Sequence, residues 1–443
     1  MTNDCTAMST VTQDEIANTI LSHGFSAAED CLSIPESGNQ TWLSRQCSRL
    51  VLKTLGRMNQ GRLALRFGCN EAAFGDPDCE TPAAILNVHS SNFFKRLLVH
   101  GAMGAAESYM DNEWSTPDLT GLFRVLLQNE DTLNTMRSRR FSIAEAIRKI
   151  EHFRNRNSTV GSKKNIHEHY DLGNHFFSLF LDESMMYSSA IFPSDDSTLV
   201  DASWEKVDRV CRRLQLTADD NVIEIGTGWG GFALHAAKHY GCKITTATIS
   251  NEQYTFAKNR IQKAGLSERV TVLLNDYREL NGRFDKLVSL EMIEAVGRDY
   301  LPGYFETCQR LVKDDGAMML QAIVMPEQKF DRFASSVDFI QKYVFPGGFL
   351  PSITEMQNCI KQNTSFRMAE LKDFGMHYAL TLNHWNQRFH NRLDEVREQG
   401  FSERFIRMWR YYLCYCEAAF LERATGLVQT LWVKPGSKIG QLG

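Results

Sequence analysis

The sequence predicts an α/β protein, a doubly wound and mostly parallel sheet preceded by a small α+β domain. Three observations carry this. Strand-like apolar runs alternate with helical segments from Asn221 to Val324, at the spacing of strand–helix–strand units. A glycine-rich turn, Gly226-Thr-Gly-Trp-Gly-Gly231, links the first run to the first helical segment. Upstream, Arg62–Phe67 alternates like a half-buried strand, Ala84–His89 reads as another, and Ser91–His100 reads as a helix with Ser91 as its N-cap.

Taken in order, residues 1–45 are polar and weakly patterned, an N-terminal arm. Residues 46–136 form the small α+β domain. Residues 137–164 are a basic stretch carrying Arg137, Arg139, Arg140, Arg148, Lys149, Arg154, Arg156, Lys163 and Lys164, with Ile143, Ile147, Ile150 and Phe153 at helical spacing. Such a segment is either a solvated helix packing its apolar face on the protein or a basic amphipathic element seated on anionic headgroups. Residues 165–443 form the doubly wound domain. Its strands are expected at Val222–Ile225, Lys243–Ile249, Val270–Asn275, Phe284–Leu290 and Ala317–Val324, and its helices at Phe232–His239, Gln253–Lys263 (capped by Ser250) and Tyr304–Val312.

Of the 443 residues 43% are hydrophobic and 23% charged, which supports a large core and excludes wholesale disorder. A net charge of −4 argues against a nucleic-acid binder. The 11 scattered cysteines lack metal-ligand spacing and read as reduced cytoplasmic thiols, and His167, His169 and His175 have no companion ligands that would make a metal site. The first residues lack the features of a signal peptide, and no apolar run approaches the ~20 residues that span a bilayer. Membrane contact is therefore expected to be peripheral.

The turn selects the ligand. A dinucleotide site wants an acidic residue about 20 positions beyond the glycines, and the second strand ends Thr246-Ala-Thr-Ile-Ser250 without one. Glu224 instead precedes Gly226, and Asp276-Tyr277 follows the third strand. Acids at these places, and no base in the turn, suit a nucleoside bearing a sulfonium cation. S-adenosylmethionine is the expected cofactor.

The stretches His169–Asn174, Met186–Ala190, Glu224–Gly231, Thr248–Gln253, Asp276–Arg278, Glu291–Gly297, Tyr343–Gly348 and Tyr411–Cys416 together resemble the cyclopropane-fatty-acyl-phospholipid synthase family, which includes mycolic acid methyltransferases. Asn92–Arg96 and Ala106–Trp114 resemble the N-terminal domain of its longer bacterial members. The resemblance implies a Rossmann-like class I methyltransferase. It would move a methyl group from S-adenosylmethionine to the double bond of an acyl chain in a membrane phospholipid, giving a cyclopropane or a methyl- or methylene-branched product. It implies that Tyr187 and Ser188 line the methionine end of the cofactor, that Gly226 and Gly228 face its methionine and ribose, that Thr248, Ile249 and Gln253 surround the ribose, and that Asp276 and Tyr277 meet the adenine. Glu294 and Tyr378 would lie at the reaction centre.

An alkene is a weak nucleophile, and its methylation leaves a carbocation that aromatic faces stabilise and a base must quench. In the family's cyclopropane makers the base is a bicarbonate held by a cysteine, a glutamate, a histidine, a tyrosine and a backbone group. Here Ser189 stands at the cysteine position and Gln321 at the histidine position, while Glu294, Ile323 and Tyr378 are retained. Serine and glutamine still donate to an anion, so bicarbonate is one candidate base. Glu417, with Glu294, is the other, unless Glu417 belongs to a structural pair. Cys416 reads either as packing or as a nucleophile. The resemblance also implies a homodimer, located in the cytoplasm at the inner membrane surface. Two rivals stand outside this reading, a methyltransferase for a soluble small molecule and an inert cofactor or lipid binder.

Overall fold

A computed structural model describes residues 42–79, 82–134 and 172–439. The basic stretch 137–164, His167 and His169 lie outside the described residues. Two compact units are present, residues 42–134 with Ser402–Glu422, and residues 172–401 with 423–439.

The first unit has a four-stranded sheet of β1 (Arg62–Phe67), β2 (Asn70–Gly75), β3 (Ala83–Val88) and β4 (Trp114–Ser115), in the order β2-β1-β3-β4. The hairpin β1–β2 is antiparallel and β1–β3 parallel. The helix predicted after β3 spans Asn92–His100, but Ser91 makes no capping bond with its side chain, because its backbone is itself helical (φ −63°). The helix Leu119–Gln128 does have a side-chain cap, Asp118, whose carboxylate accepts from the Gly121 N–H at 2.8 Å.

One difference from the sequence reading concerns the helix Glu403–Leu421, assigned above to the doubly wound domain. It folds with the first unit. Its ring Tyr411 packs edge-on against Phe123 at 4.8 Å, the Arg407 guanidinium lies 3.9 Å from the Tyr109 ring centre, and Glu422 just beyond it pairs with Arg124 at 2.6 Å. Local periodicity marks such a helix as amphipathic without saying which core takes its apolar face.

The second unit is built on a seven-stranded sheet, β5 (Asn221–Ile225), β6 (Lys243–Thr248), β7 (Val270–Leu274), β8 (Phe284–Leu290), β9 (Val312–Val324), β10 (Arg367–Asp373) and β11 (Gly426–Val433), ordered β10-β11-β9-β8-β5-β6-β7. The five predicted strands are the parallel ones. The antiparallel β10 and β11 were not foreseen. The helices Gly231–His239, Asn251–Lys263 and Leu301–Leu311 follow β5, β6 and β8. Leu301, Tyr304, Phe305, Cys308 and Leu311 recur at helical spacing and are all buried in one core with β8 and β9. The strand order reverses beside β5, so the carboxyl ends of β5, β6 and β8 open one crevice, where doubly wound sheets place their ligands.

Candidate active site

The glycine turn leaves β5 through Gly226 (φ 100°) and Gly228 (φ 51°). The N–H groups of Gly226 and Thr227 both donate to the Ala247 carbonyl at 3.0 and 3.1 Å, which pins the turn to β6. A side chain at Gly226 would meet Met292 at 3.1 Å and would need a left-handed backbone, so glycine is required there. No atom of the described residues lies within 4 Å of the equivalent point on Gly228, leaving an open cradle among them.

Glu224, the last acid before the turn, is buried. Thr246 Oγ1 donates to it at 2.6 Å, and burial raises its carboxyl to about 8 against the pull of Lys206. Thr248 Oγ1 donates to Gln253 Oε1 at 2.8 Å at the end of β6, and Ser250 caps the next helix as predicted. Ile249 between them is partly buried. Asp276 is held differently from the expectation. Arg278, two residues on, grips it with Nε on Oδ1 at 2.8 Å and Nη2 on Oδ2 at 2.6 Å, so both oxygens already have a partner. Tyr277 packs against Tyr304 at 5.5 Å.

The segment 187–192 forms the opposite wall. Lys206, only 1% exposed, donates from Nζ to Ser188 Oγ at 2.6 Å. Burial lowers this lysine to about 8, and Glu291, Asp182 and Glu224 oppose the shift. Ser189 donates its backbone N–H to Glu291 Oε1 at 2.8 Å, while its hydroxyl turns to the Ala190 carbonyl. Ala190 N–H donates to Thr381 Oγ1 at 3.0 Å, tying the segment to the helix Gly375–Asn391 that carries Tyr378. Aromatic rings line this region: Tyr187 lies 5.2 Å from Phe177, 5.3 Å from Trp385 and 6.2 Å from Phe345, and Tyr378 meets Trp385 edge-on at 6.1 Å.

Two glutamates follow β8, Glu291 just before the short 3₁₀ segment Ile293–Ala295 and Glu294 within it. Glu294 Oε1 accepts the Ile323 N–H at 2.5 Å, and its buried Oε2 has no partner among the described residues. Burial, reinforced by the neighbouring Glu291, raises Glu294 to about 8, so it is mainly protonated at neutral pH. Glu291 accepts from Gln321 Nε2 at 2.6 Å, from Ser189 and from the Tyr378 hydroxyl. Burial pushes its carboxyl up, and Gln321, Lys206, Ser189 and Tyr378 pull against that. Gln321 Oε1 in turn accepts from Gln429 Nε2 on β11 at 2.8 Å.

The structure thus brings Tyr187, Ser188, Ser189, Glu224, Glu294, Gln321 and Tyr378 into one unit with the glycine turn. Cys416 and Glu417 belong to the other, on the helix Glu403–Leu421. There Glu417 Oε2 accepts from Thr120 Oγ1 at 2.8 Å, a partnership of the structural kind weighed above beside the base role. Cys416 is half-buried on the same helix. Sequence reading missed Lys206, Glu291 and Gln429. Glu291 had a signal, because it opens the Glu291-Met-Ile-Glu294 motif.

S-adenosylmethionine fits these residues. The open turn at Gly228 admits a ligand close to the backbone, and Glu224 with the Thr248–Gln253 pair stands at the strand ends where ribose and amino-acid groups need polar partners. Bicarbonate does not fit. Ser189 N–H, Gln321 Nε2 and the Tyr378 hydroxyl are spent on Glu291, and the Ile323 N–H on Glu294.

A model of the mycolic acid cyclopropane synthetase family matches residues 157–430. The tuberculostearic acid methyltransferase of Mycobacterium tuberculosis is 36% identical over 401 residues, covering 88% of this chain and 92% of that protein. The cyclopropane-fatty-acyl-phospholipid synthase of Escherichia coli is 37% identical over 360 residues, covering 79% and 87%. Among solved structures, a cyclopropane synthase from Mycobacterium tuberculosis superposes with a TM-score of 0.58 at 26% identity, over 61% of this chain and 98% of that one. A mycolic acid cyclopropane synthase complexed with SAH and CTAB gives the same TM-score and coverage at 28% identity.

Proposed function

The chain belongs to the mycolic acid cyclopropane synthetase family and is an S-adenosylmethionine-dependent methyltransferase, and from that premise we propose that it methylates the double bond of an unsaturated acyl chain carried by a membrane phospholipid. The observation that carries this is the aromatic wall of Tyr187, Tyr378, Trp385, Phe177 and Phe345 beside the buried carboxylates of Glu291 and Glu294. Rings of this kind hold an apolar chain, exclude water and present negative π-faces to a carbocation, each worth ~2 kcal/mol when desolvated. An amine or phenol substrate has no need of that stabilisation.

When bound, S-adenosylmethionine supplies the electrophilic methyl group. The chain's residues do the remainder. The glycine turn and Glu224 hold the cofactor, Lys206 fixes Ser188 at its methionine end, and a carboxylate receives the proton. Cyclopropane closure is the first reading of the product. A methyl- or methylene-branched chain is the second, favoured by Ser189 and Gln321, which serve Glu291 here and not a free anion. No helix among the described residues is long and apolar enough to cross a membrane. Reaching a bilayer lipid therefore calls for peripheral docking, and a homodimer would strengthen such docking through avidity.

The test is mass spectrometry of phospholipid acyl chains from cells expressing the protein and fed methionine with a fully deuterated methyl group. A gain of one methylene equivalent in the acyl chains is expected. Retention of all three deuteriums marks a methyl branch, and loss of one marks a cyclopropane or methylene product. Labelled small molecules with no labelled acyl chain would reject the reading.

A further inference from the structure

We propose that Glu291 is the base of this site and that its carboxylate takes the place of a free carbonate-type anion. The inference rests on the acyl-methyltransferase reading above.

The first observation is the convergence of donors. Ser189 N–H and Gln321 Nε2 both point at Glu291 Oε1, at 2.8 and 2.6 Å, and the Tyr378 hydroxyl donates to the same carboxylate. These come from three separate elements, the 187–192 segment, β9 and the helix Gly375–Asn391. These donors and the Lys206 ammonium all favour the charged form of Glu291, against the burial that pushes its carboxyl up. Among the described residues the buried Glu294 Oε2 has no partner, and burial with the neighbouring Glu291 raises that carboxyl to about 8. Two neighbouring carboxyls held in such different settings, one ringed by donors and one with a bare oxygen, divide into one base and one acid.

The second observation is the backbone. Glu291 has φ 51°, a left-handed conformation that is strained for a residue bearing a side chain. Its N–H is tied to the Gln321 carbonyl at 2.8 Å, so the strained geometry is enforced by β9. Packing alone gives no reason for glutamate where glycine would be relaxed. The third observation is that Gln429 fixes the direction of the Gln321 amide. It donates to Gln321 Oε1, and reversing the amide would set a carbonyl oxygen against the Glu291 carboxylate.

The step balances as follows. Methyl transfer leaves a cationic carbon on the acyl chain and a neutral thioether. A C–H bond then breaks, either on the delivered methyl, which sits on the neighbouring carbon, or on a carbon adjacent to the cation. Its electron pair forms either the third bond of a cyclopropane, when the hydrogen comes from the delivered methyl, or a C=C bond. The proton passes to the Glu291 carboxylate, which becomes a carboxylic acid and later returns the proton to water.

Three forms of the full chain test this, wild type, E291G and E291Q, with vesicles of monounsaturated phosphatidylglycerol and methyl-labelled S-adenosylmethionine, with and without carbon dioxide and bicarbonate. Glycine takes φ 51° freely, so E291G is expected to fold at least as well as wild type. Wild-type turnover is expected to be indifferent to bicarbonate. Both variants should lose about 10²–10⁴-fold in turnover, with S-adenosylmethionine affinity within about threefold of wild type. E291G, whose donors are vacated, should bind isotopically labelled bicarbonate by NMR and regain part of its turnover when it is added, whereas E291Q should not. A wild type that stops without bicarbonate, or an E291G that keeps its rate, would overturn the assignment. A wild type that labels no lipid at all while binding S-adenosylmethionine would instead overturn the acyl-chain reading on which it rests.

Discussion

Glu224→Gln should make the protein more stable and a poorer binder of S-adenosylmethionine. The buried Glu224 carboxyl titrates near 8 when folded, against an ordinary value of 4.5. The folded state therefore binds one proton more than the unfolded state between those two values. Where the native state holds the extra proton, stability falls as pH rises, by about 1.4 kcal/mol per pH unit. At pH 7 the penalty is about 3 kcal/mol, and it levels off once pH passes the folded value. Glutamine removes it and can still accept from Thr246 Oγ1. Its amide brings an extra donor into a buried place, which takes back about 1 kcal/mol. The net gain at pH 7 is about 2 kcal/mol, or ~4–8 °C in melting temperature for a unit of this size. Thermal and urea denaturation at pH 5, 7 and 8.5 would measure it, with the variant's advantage growing across the series. Calorimetric titration should show S-adenosylmethionine binding weakened about tenfold or more at pH 8.5, where the wild-type group is ionised, and less at pH 5, where it is the neutral acid in any case. An equal stability difference at all three pH values, or a variant less stable than wild type at pH 8.5, would refute the argument that burial and not a structural ion pair governs this group.

Lys206→Met should weaken S-adenosylmethionine about tenfold or more and S-adenosylhomocysteine, which lacks the sulfonium charge, clearly less. Without the ammonium, Ser188 loses its donor and Glu224 protonates more readily, so the carboxylate set to face a sulfonium is lost; titration of both ligands into one preparation makes the comparison. Tyr378→Phe removes a hydroxyl that donates to Glu291 but keeps the ring, so turnover should fall ~10–100-fold with the cofactor's dissociation constant unchanged, read by single-turnover labelling and calorimetry. Glu417→Gln retains an acceptor for Thr120, so melting temperature and turnover should both stay close to wild type; a hundredfold loss of turnover in a folded variant would restore Glu417 to the chemistry.

Much of the catalytic unit is legible in the linear chain because its elements announce themselves locally. β1 and β8 begin and end where alternation and apolar runs place them, and Ser250 caps its helix as a serine before a helical pattern should. What is not legible depends on distant partners. β11 is an apolar run that follows a long helix, and only the sheet shows that it pairs antiparallel with β9. Lys206 sits in an amphipathic helix where a lysine reads as a solvated residue, yet it lies inside among Glu291, Asp182 and Glu224. Glu291 was within a quoted motif, but its importance comes from a positive φ that side-chain patterns do not express. Asp276 is the opposite case. Arg278 stands two residues away, and the pair it forms with the carboxylate is local enough to be read from the spacing.

The helix Glu403–Leu421 gives the chain an unusual order of completion. On the ribosome, residues 42–134 emerge first, but the surface they shape for Tyr411, Arg407 and Glu417 waits until nearly the whole polypeptide has been made. All the parallel strands of the second unit have been synthesised by then. The N-terminal unit therefore finishes only after those strands are made, just ahead of β11, and until it does, Phe123 and Tyr109 lack their covering rings and guanidinium. Expressed alone, residues 42–134 should behave as an incomplete fold that a peptide spanning 402–422, added in trans, would complete.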